Sequence, residues 1–501
     1  MPKINKILVA NRGEIALRII RAAQELNIKT IAVYSEADRG SLPVRHADEA
    51  ICIGPPPSSQ SYLLGEKIIK VAKESSADAI HPGYGFLSEN ATFAQQVSDA
   101  GLIFIGPSPD SIRLMGNKLT AKEAVKPYGI PLVPGIELPD IKNFNKVKKA
   151  ASDIGYPLLI KATAGGGGKG MRLVHSEKDL KDQLTRASSE ASSAFGDSSV
   201  FIEKYITNNK HIEIQVLGDQ QGNLVHLFER ECSIQRRHQK VIEEAPSPVV
   251  DNEMREKMGN AAVKVAQACG YFGAGTVEFI VDQNMNFYFL EMNTRLQVEH
   301  PVTEQITGID LVKEQIAIAE GEKISFDQKD IKLNGHSLEV RVYAEDPEND
   351  FLPEVGNLHH YNRPQGLGVR VDDGYEQGMD IPIYYDPMIA KLITFGKDRK
   401  EAIQRMNRAI DEFEISGVAT TLGFARFVIN HPSFVSGEFN TGFVSDHYKP
   451  DQQLSNGFGS EDLSNIASAL AYTIWEKNRQ NLQTLSNNSS KSNWKDRLKY
   501  D

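Results

Sequence analysis

Hydrophobic and polar positions alternate most sharply from Phe287 to His300, F-Y-F-L-E-M-N-T-R-L-Q-V-E-H. Alternate side chains of an extended chain share one face. Glu291, Asn293, Arg295, Gln297 and Glu299 then line one face, while Leu290, Met292, Leu296 and Val298 on the other suit a core. A solvated edge strand alternates too, so the pattern alone leaves both readings open. The preceding residues narrow the choice. Thr276 to Val281 reads as a strand and Asp282 to Met285 as a turn. A hairpin about that turn sets Glu278 opposite Glu291, and carboxylates facing across a strand pair repel each other. A hard divalent cation would compensate, with Asn293 as a third oxygen ligand. A plain surface hairpin is the alternative.

Nearer the N-terminus the period changes. Lys6 to Asn11 is a buried strand, Arg12-Gly13-Glu14 a turn, Ile15 to Leu26 an amphipathic helix and Thr30 to Ser35 a second strand, which together make a βαβ unit. No full G-x-G-x-x-G is present, so a Rossmann-like scaffold without its own nucleotide is expected. In the loop A-I-H-P-G-Y-G-F (Ala79 to Phe86), Tyr84 between two glycines can stand clear as a wall for a flat ligand. Ser88 with Glu89 is expected to cap the next helix. The first domain is expected to end near Leu114.

Lys118 opens a helical stretch, where a lysine is usually solvent-exposed. Lys161 sits inside the apolar strand P-L-L-I-K-A, and its burial needs a countercharge such as phosphate. Five glycines in six positions follow (Gly165 to Gly168 and Gly170), whose amides can wrap phosphate oxygens. This is not a Walker loop, because the GK[ST] ending is missing and a strand from Met171 to Val174 follows. A lid folding over a nucleotide fits better. The strand from Ser198 to Tyr205 ends near Glu203, Lys204, Tyr205 and Ile206, whose backbone can meet a base. His211, Glu213 and Gln215 then share one polar strand face, turned to solvent or to a cleft. Glu229 to Lys240 is dense in cations and reads as an anion site rather than a surface patch.

Asp251 to Gly270 and Pro301 to Ala319 read as helices, and Leu338 to Ala344 as a strand with Glu339, Arg341 and Tyr343 on one face. Leu333 to Tyr448 reads as an α+β domain with a helix from Lys400 to Glu412. The Ser-, Asn- and Gln-rich tail is expected to be mostly flexible, with one short amphipathic helix near Ile466 to Trp475. A 501-residue chain exceeds one core and implies two to four domains. Its net charge of −10 argues against a nucleic-acid partner. Three scattered cysteines without metal spacing suggest a reducing compartment. No signal-peptide or membrane-length apolar run occurs, so a cytoplasmic location and no membrane partner are expected.

Five motifs occur in order: N-R-G-E-I-A, H-P-G-Y-G-F-L-S-E-N, G-G-G-G-K-G-M-R, R-R-H-Q-K-V-I-E-E-A and E-M-N-T-R-L-Q-V-E-H-P-V-T-E. Together they resemble the biotin carboxylase component of biotin-dependent carboxylases, an ATP-grasp family, over about Lys3 to Tyr448. The resemblance implies an α/β and α+β multidomain fold: a Rossmann-like domain (1–114), an ATP-grasp domain (115–330, lid about 132–204), a C-terminal α+β domain (331–448) and a polar tail (449–501). The family activates bicarbonate with ATP and magnesium or manganese, two ions in all, to carboxyphosphate. It then carboxylates N1 of biotin, a substrate borne on a carrier protein.

By resemblance, Lys118, Lys161, Gly165, Gly166, Glu203, Lys204, Tyr205, Ile206, His211, Gln235 and His238 would bind ATP, together with the metal ligands Glu278, Glu291 and Asn293. Lys240, Arg295, Gln297 and the Val298 amide would hold bicarbonate, Glu299 would take its proton, and Arg341 would steady the biotin enolate beside Tyr84 and Gly85. The chemistry needs these residue types. Bicarbonate is a poor nucleophile until a base deprotonates it, and a guanidinium grips a planar anion with two donors. Lys169 stands where many relatives carry arginine. No A-M-K-M biotin-attachment motif occurs. A biotin carboxyl carrier protein and a carboxyltransferase subunit on separate chains are therefore expected, with the tail as a docking element. A homodimer is expected through the first and third domains, near Arg18 and Arg21. Another ATP-grasp carboxylate–amine ligase would share the lid and the metal set, but has no reason to carry R-L-Q-V-E or H-P-G-Y-G-F. A non-catalytic scaffold protein would show a broken metal or base position, and none is broken.

Overall fold

The computed structural model describes residues 3–138, 143–163, 171–195, 198–449 and 468–476. Strands Lys6–Val9, Lys29–Ser35, Glu49–Gly54, Ala79–His81 and Ile103–Phe104 form a five-stranded parallel sheet with the first strand at its centre. The chain passes outward from that centre in both directions, the order of a doubly wound sheet. Helix Gly13–Glu25 buries Ile15, Ile19 and Ile20 against it. That same core takes in Leu311, Val312 and Ile316 from a distant helix, Leu311–Ala319. Each such aliphatic side chain contributes about 1.5–3 kcal/mol by leaving water. Ile19→Ala would leave a void costing about 2–5 kcal/mol.

A second sheet is antiparallel, eight strands wide, in the order Phe287–Asn293, Gly273–Val281, Lys210–Gly218, Leu224–Arg236, Gln239–Ala245, His336–Tyr343, Met388–Gly396 and Val369–Asp373. Pairing of Gln239–Ala245 with His336–Tyr343 carries the sheet past residue 330, so the C-terminal strands extend it. A smaller antiparallel sheet (Gly135–Leu138, Val200–Lys204, Leu158–Ala162, Arg172–Val174) is covered by helices Phe144–Ile154 and Glu177–Phe195. The chain is therefore mixed α/β: a parallel N-terminal sheet followed by antiparallel sheets.

Three expectations need correction. The run from Pro301 to Ala319 is two helices, His300–Thr307 and Leu311–Ala319. Gly308, with a left-handed φ of 73°, closes the first, and the Asp310 side chain accepts from Val312 and Lys313 to open the second. Helix Ala91–Asp99 is capped by Asn90 rather than by Ser88 and Glu89. The alternating segment is extended only to Asn293, and the residues from Thr294 onward turn into the next helix, with Glu299 at its N-cap.

Residues 468–476 form a helix whose side chains are exposed, Leu470, Tyr472, Ile474 and Trp475 among them. Gly165 and Gly166, and most of the tail, lie outside the described residues. Among the described residues, no helix is long and apolar enough to cross a membrane.

Candidate active site

A cleft of about 1270 Å³ opens between the small sheet and the large one, with the parallel domain at one end. Apart from the two glycines outside the described residues, every residue assigned from sequence lines it except Glu299, which is fully buried directly behind Lys240 and Arg341. At one end Lys161 is buried, its Nζ 2.7 Å from Glu203, and Lys122 contacts the same carboxylate. Burial, with Lys118 and Lys122 nearby, pushes the Lys161 ammonium down to about 7. The charge of Glu291 works the other way. Burial and Lys118 bring Lys122 down to about 8. Lys118 is mostly covered rather than exposed, and lies 3.8 Å from Glu291. Three lysines with two carboxylates among them remain short of negative charge, as a polyphosphate site should be.

The backbone N–H groups of Lys204 and Tyr205 already donate to Pro134 (2.8 Å) and Pro157 (3.1 Å). These two amides are thus not available to a base, and any backbone readout falls to other groups of that stretch. Lys204 Nζ also turns inward, onto the carbonyls of Gly155 and Tyr156. Arg237 and His238 both adopt left-handed φ, 51° and 67°, in the two-residue turn between the strands that end at Arg236 and begin at Gln239. That twist matches a tight hairpin. Asn and Gly usually occupy such positions, and retention of strained residues there is common at functional sites. His238 lines the cleft, and burial with Lys161 lowers its pKa.

Mid-cleft, Glu213, Glu278 and Glu291 face one another across three adjacent strands. Glu278 does stand opposite Glu291, as the hairpin argument required. Lys240 joins this row. Its Nζ lies 2.8 Å from Glu278 Oε1 and 2.7 Å from Glu299 Oε1, and it also contacts Glu213. His211 Nε2 is 2.9 Å from Glu278 Oε2. Burial opposes ionisation of Glu278, yet Lys240 and His211 hold its carboxyl well below the usual range. Glu291 behaves oppositely: burial and the charge of Glu278 push its carboxyl up. Glu213 rests on Arg230, whose Nε donates to it at 2.5 Å and which is itself fully buried. This arginine of the cation-dense stretch is structural, holding protein groups rather than a bound anion.

Beyond Asn293 the chain turns, and Arg295 is held by four hydrogen bonds. Its Nε donates to Glu89 Oε2 (2.9 Å), Nη1 to Gln297 Oε1 (3.1 Å) and to the Leu296 carbonyl (3.2 Å), and Nη2 to Asn293 Oδ1 (3.3 Å). Leu296 is a core residue and Met292 a buried one that also reaches the cleft, whereas Leu290 and Val298 border the cleft. Glu299 Oε2 accepts from Arg341 Nη2 at 3.0 Å. Burial disfavours its charge, but Lys240, Arg341 and Arg230 outweigh this and keep its carboxyl well below the ordinary value. Arg341 Nε lies 2.7 Å from Glu243. The loop carrying Tyr84 and Gly85 is fastened by Asn11, whose Nδ2 donates to the carbonyls of Pro82 and Tyr84, both at 2.7 Å. At Gly83 a Cβ would fall 2.9 Å from that amide, so no larger residue fits. These contacts physically join the N-R-G-E and H-P-G-Y-G motifs.

Sequence reasoning does not reach Glu89, Glu213, Lys122 or Glu243 as site residues. The polar alternation at 211–215 is a usable signal for Glu213. Glu89 lies inside a motif, but its spacing reads as a cap.

Known proteins place this geometry. Residues 3–112 match the family profile described as biotin carboxylase, N-terminal domain; 117–326 match carbamoyl-phosphate synthase L chain, ATP binding domain; and 339–446 match biotin carboxylase C-terminal domain. Biotin carboxylase 1 of Bacillus subtilis is 55% identical over 445 residues, spanning 89% of this chain and 99% of that protein. The chain belongs to the biotin carboxylase family. The biotin carboxylase of a Nostoc species is 53% identical over 447 residues, 89% of this chain and 100% of that protein. Among solved structures, the Campylobacter jejuni biotin carboxylase in complex with a β,γ-ATP ligand superposes with a TM-score of 0.86 at 48% identity, covering 89% of this chain and 99% of that one. The biotin carboxylase domain dimer of Hydrogenobacter thermophilus 2-oxoglutarate carboxylase, solved with MgADP, ADP and bicarbonate, gives 0.85 at 48% identity, covering 89% and 98%. This chain is accordingly an ATP-dependent ligase of the biotin carboxylase type, acting with ATP, magnesium, bicarbonate and biotin.

Proposed function

We propose that the cleft divides its labour along its length, with nucleotide at the lysine end, bicarbonate at Arg295 and biotin beside Tyr84. The observation that carries this reading is Glu299: a fully buried carboxylate wedged between Lys240 and Arg341. Lys118, Lys161, His211, Gln235 and His238 face the phosphates and base, with Lys122 and Glu203 setting the charge there. Glu278, Glu291 and Asn293 would hold magnesium. Two carboxylates and an amide oxygen are the hard donors this ion takes, and the raised carboxyl of Glu291 beside Glu278 is what a cation would relieve. When bound, the metal offsets charge on the phosphates.

Arg295, Gln297 and the Val298 amide hold the bicarbonate, and Glu299 accepts its proton. With both cations in place Glu299 is fully ionised but a weak base. Bicarbonate drawing Lys240 toward itself would strengthen that base as the anion is seated. Arg341 then faces negative charge developing on the biotin ring. The test is Glu299→Gln in the full chain, which keeps the shape and removes the proton acceptor. Bicarbonate-dependent ADP release is expected to fall by about 10²–10⁴. Release at the parent rate would overturn the assignment.

We further propose that the chain divides into domains at about residues 114 and 330, and that it forms a homodimer near the helix bearing Arg18 and Arg21. We place the biotin carrier and the carboxyltransferase on separate chains, with the exposed helix at 468–476 as a docking element. Separate carrier and transferase chains are supported by relatives named biotin carboxylase that this chain covers over 99–100% of their length, and the dimer by a similar domain solved as one. Truncation after Lys449 that leaves co-purification with the carrier and transferase intact would remove the docking role.

A further inference from the structure

Lys391 lies in the apolar strand M-I-A-K-L-I-T-F-G and is fully buried. Burying an ammonium without partners is prohibitive, so its contacts matter. Its Nζ donates to the Val298 carbonyl at 2.8 Å and lies 3.1 Å from Glu14 Oε1. Asp372, directly opposite on the neighbouring strand, is further off at 4.0 Å. Glu14 in turn accepts a hydrogen bond from the Tyr84 hydroxyl. The ammonium also sits 6.0 Å from the centre of the Tyr84 ring. On its other flank Lys391 pairs in register with Arg341.

These contacts come from three separate stretches of chain. Glu14 opens the first long helix, Val298 belongs to the bicarbonate loop, and Lys391 belongs to the C-terminal part of the large sheet. The Val298 carbonyl is half of the peptide that leads into Glu299, so fixing it fixes where the base emerges. A continuous path runs Tyr84, Glu14, Lys391, Val298, Glu299. Glu14, buried at the start of the first long helix, needs a cation, and Lys391 supplies it; the same ammonium also reaches the Val298 carbonyl, which the Glu14 pair alone would not require.

We propose that Lys391 is a positioning residue for the carboxylation reaction: it pins the Val298–Glu299 peptide and ties it, through Glu14, to the tyrosine wall of the biotin end. The proposal rests on the roles given above to Val298, Glu299 and Tyr84. Lys391 touches no substrate. It sets the register of the bicarbonate loop against the biotin wall, so that occupancy of one end is felt at the other.

The test uses the full chain with MgATP, varying bicarbonate with and without free biotin. Loss of one charge-assisted hydrogen bond that positions a reacting group is expected to raise the bicarbonate KM in Lys391→Met by about tenfold or more. The ATP KM should stay within about twofold of the parent, and the rise in ADP release on adding biotin should shrink. Lys391→Arg keeps a buried cation and should recover part of both effects. A parent-like bicarbonate KM in Lys391→Met overturns the proposal. So does a parallel rise in ATP KM, which would make the lysine a mere domain fastener. If Lys391→Met does not fold, Lys391→Arg and Glu14→Gln decide, each with an expected rise in bicarbonate KM of about two- to fivefold; an unmoved value in both refutes it. Retained turnover in Glu299→Gln would instead sink the base assignment, and the bicarbonate KM of the lysine variants is read independently of it.

Discussion

Removing Lys240 should expose how much charge the cleft holds in check. Its ammonium serves Glu213, Glu278 and Glu299, with side chains 0%, 6% and 0% exposed, and is itself 12% exposed. Lys240→Met leaves the row one cation short, although Arg230, His211 and Arg341 remain. Breaking a buried ion pair by deleting one partner costs about 3–5 kcal/mol. For a cooperative unit of about 200 residues that lowers the melting temperature by roughly 6–20 °C. In the parent, Glu278 and Glu299 have depressed pKa values, so their stabilisation is present above the ordinary carboxylate pKa and is lost as pH falls through the depressed values. In the variant at least one carboxyl loses that depression and takes up a proton at higher pH. The deficit should therefore be largest near pH 8 and narrow toward about pH 5. Scanning calorimetry in chelator across that range is the assay. A variant melting within about 2 °C of the parent at pH 8, or a gap that stays constant with pH, would refute the reasoning.

Other expectations follow from individual contacts. Glu89→Ala frees Arg295 from one of its four hydrogen bonds and should raise the bicarbonate KM by about two- to fivefold, the worth of one partly exposed ion pair, with the ATP KM unmoved in steady-state assays. Lys161 and Lys122, lowered to about 7 and about 8, lose charge as pH rises through those values. A bound triphosphate should re-protonate them, so calorimetry near pH 8 in buffers of different ionisation enthalpy should show proton uptake and affinity should fall with pH; proton release would contradict this. Glu291→Gln relieves the carboxylate facing Glu278, and the chelated protein should melt about 1–3 °C higher while its magnesium-dependent ADP release collapses. A lower melting temperature would show that no repulsion is stored there.

The chemistry is most legible where it is local. Alternation and a short turn are enough to predict the hairpin and to bring Glu278 near Glu291, because strand period and hairpin closure are local properties; their direct pairing depends on a one-residue register shift between Phe279 and Glu278, which the sequence does not mark. The βαβ start is legible for the same reason. The Gly308 break carries a readable signal, a glycine followed two residues later by a capping aspartate, but the apolar period runs on through it. What stays hidden depends on contacts distant in sequence. Lys240 gathers glutamates 27, 38 and 59 residues away, and Lys391 meets a carbonyl 93 residues earlier. Nothing in M-I-A-K-L-I distinguishes a buried bridging lysine from a misplaced one. Arg230 reads from sequence as one more cation of an anion site because its partners, Glu213, Gln215, Thr276 and Thr303, lie on three other segments.

The most direct measurement is formation of N1-carboxybiotin by the purified chain from labelled bicarbonate, MgATP and free biotin, with ADP followed in parallel. Label should enter biotin with one ADP released per carboxylation at saturating biotin, and omitting either bicarbonate or ATP should abolish it. ADP release indifferent to bicarbonate and biotin, yet stimulated by an amine acceptor, would contradict the account and remove the roles given to Arg341 and Tyr84.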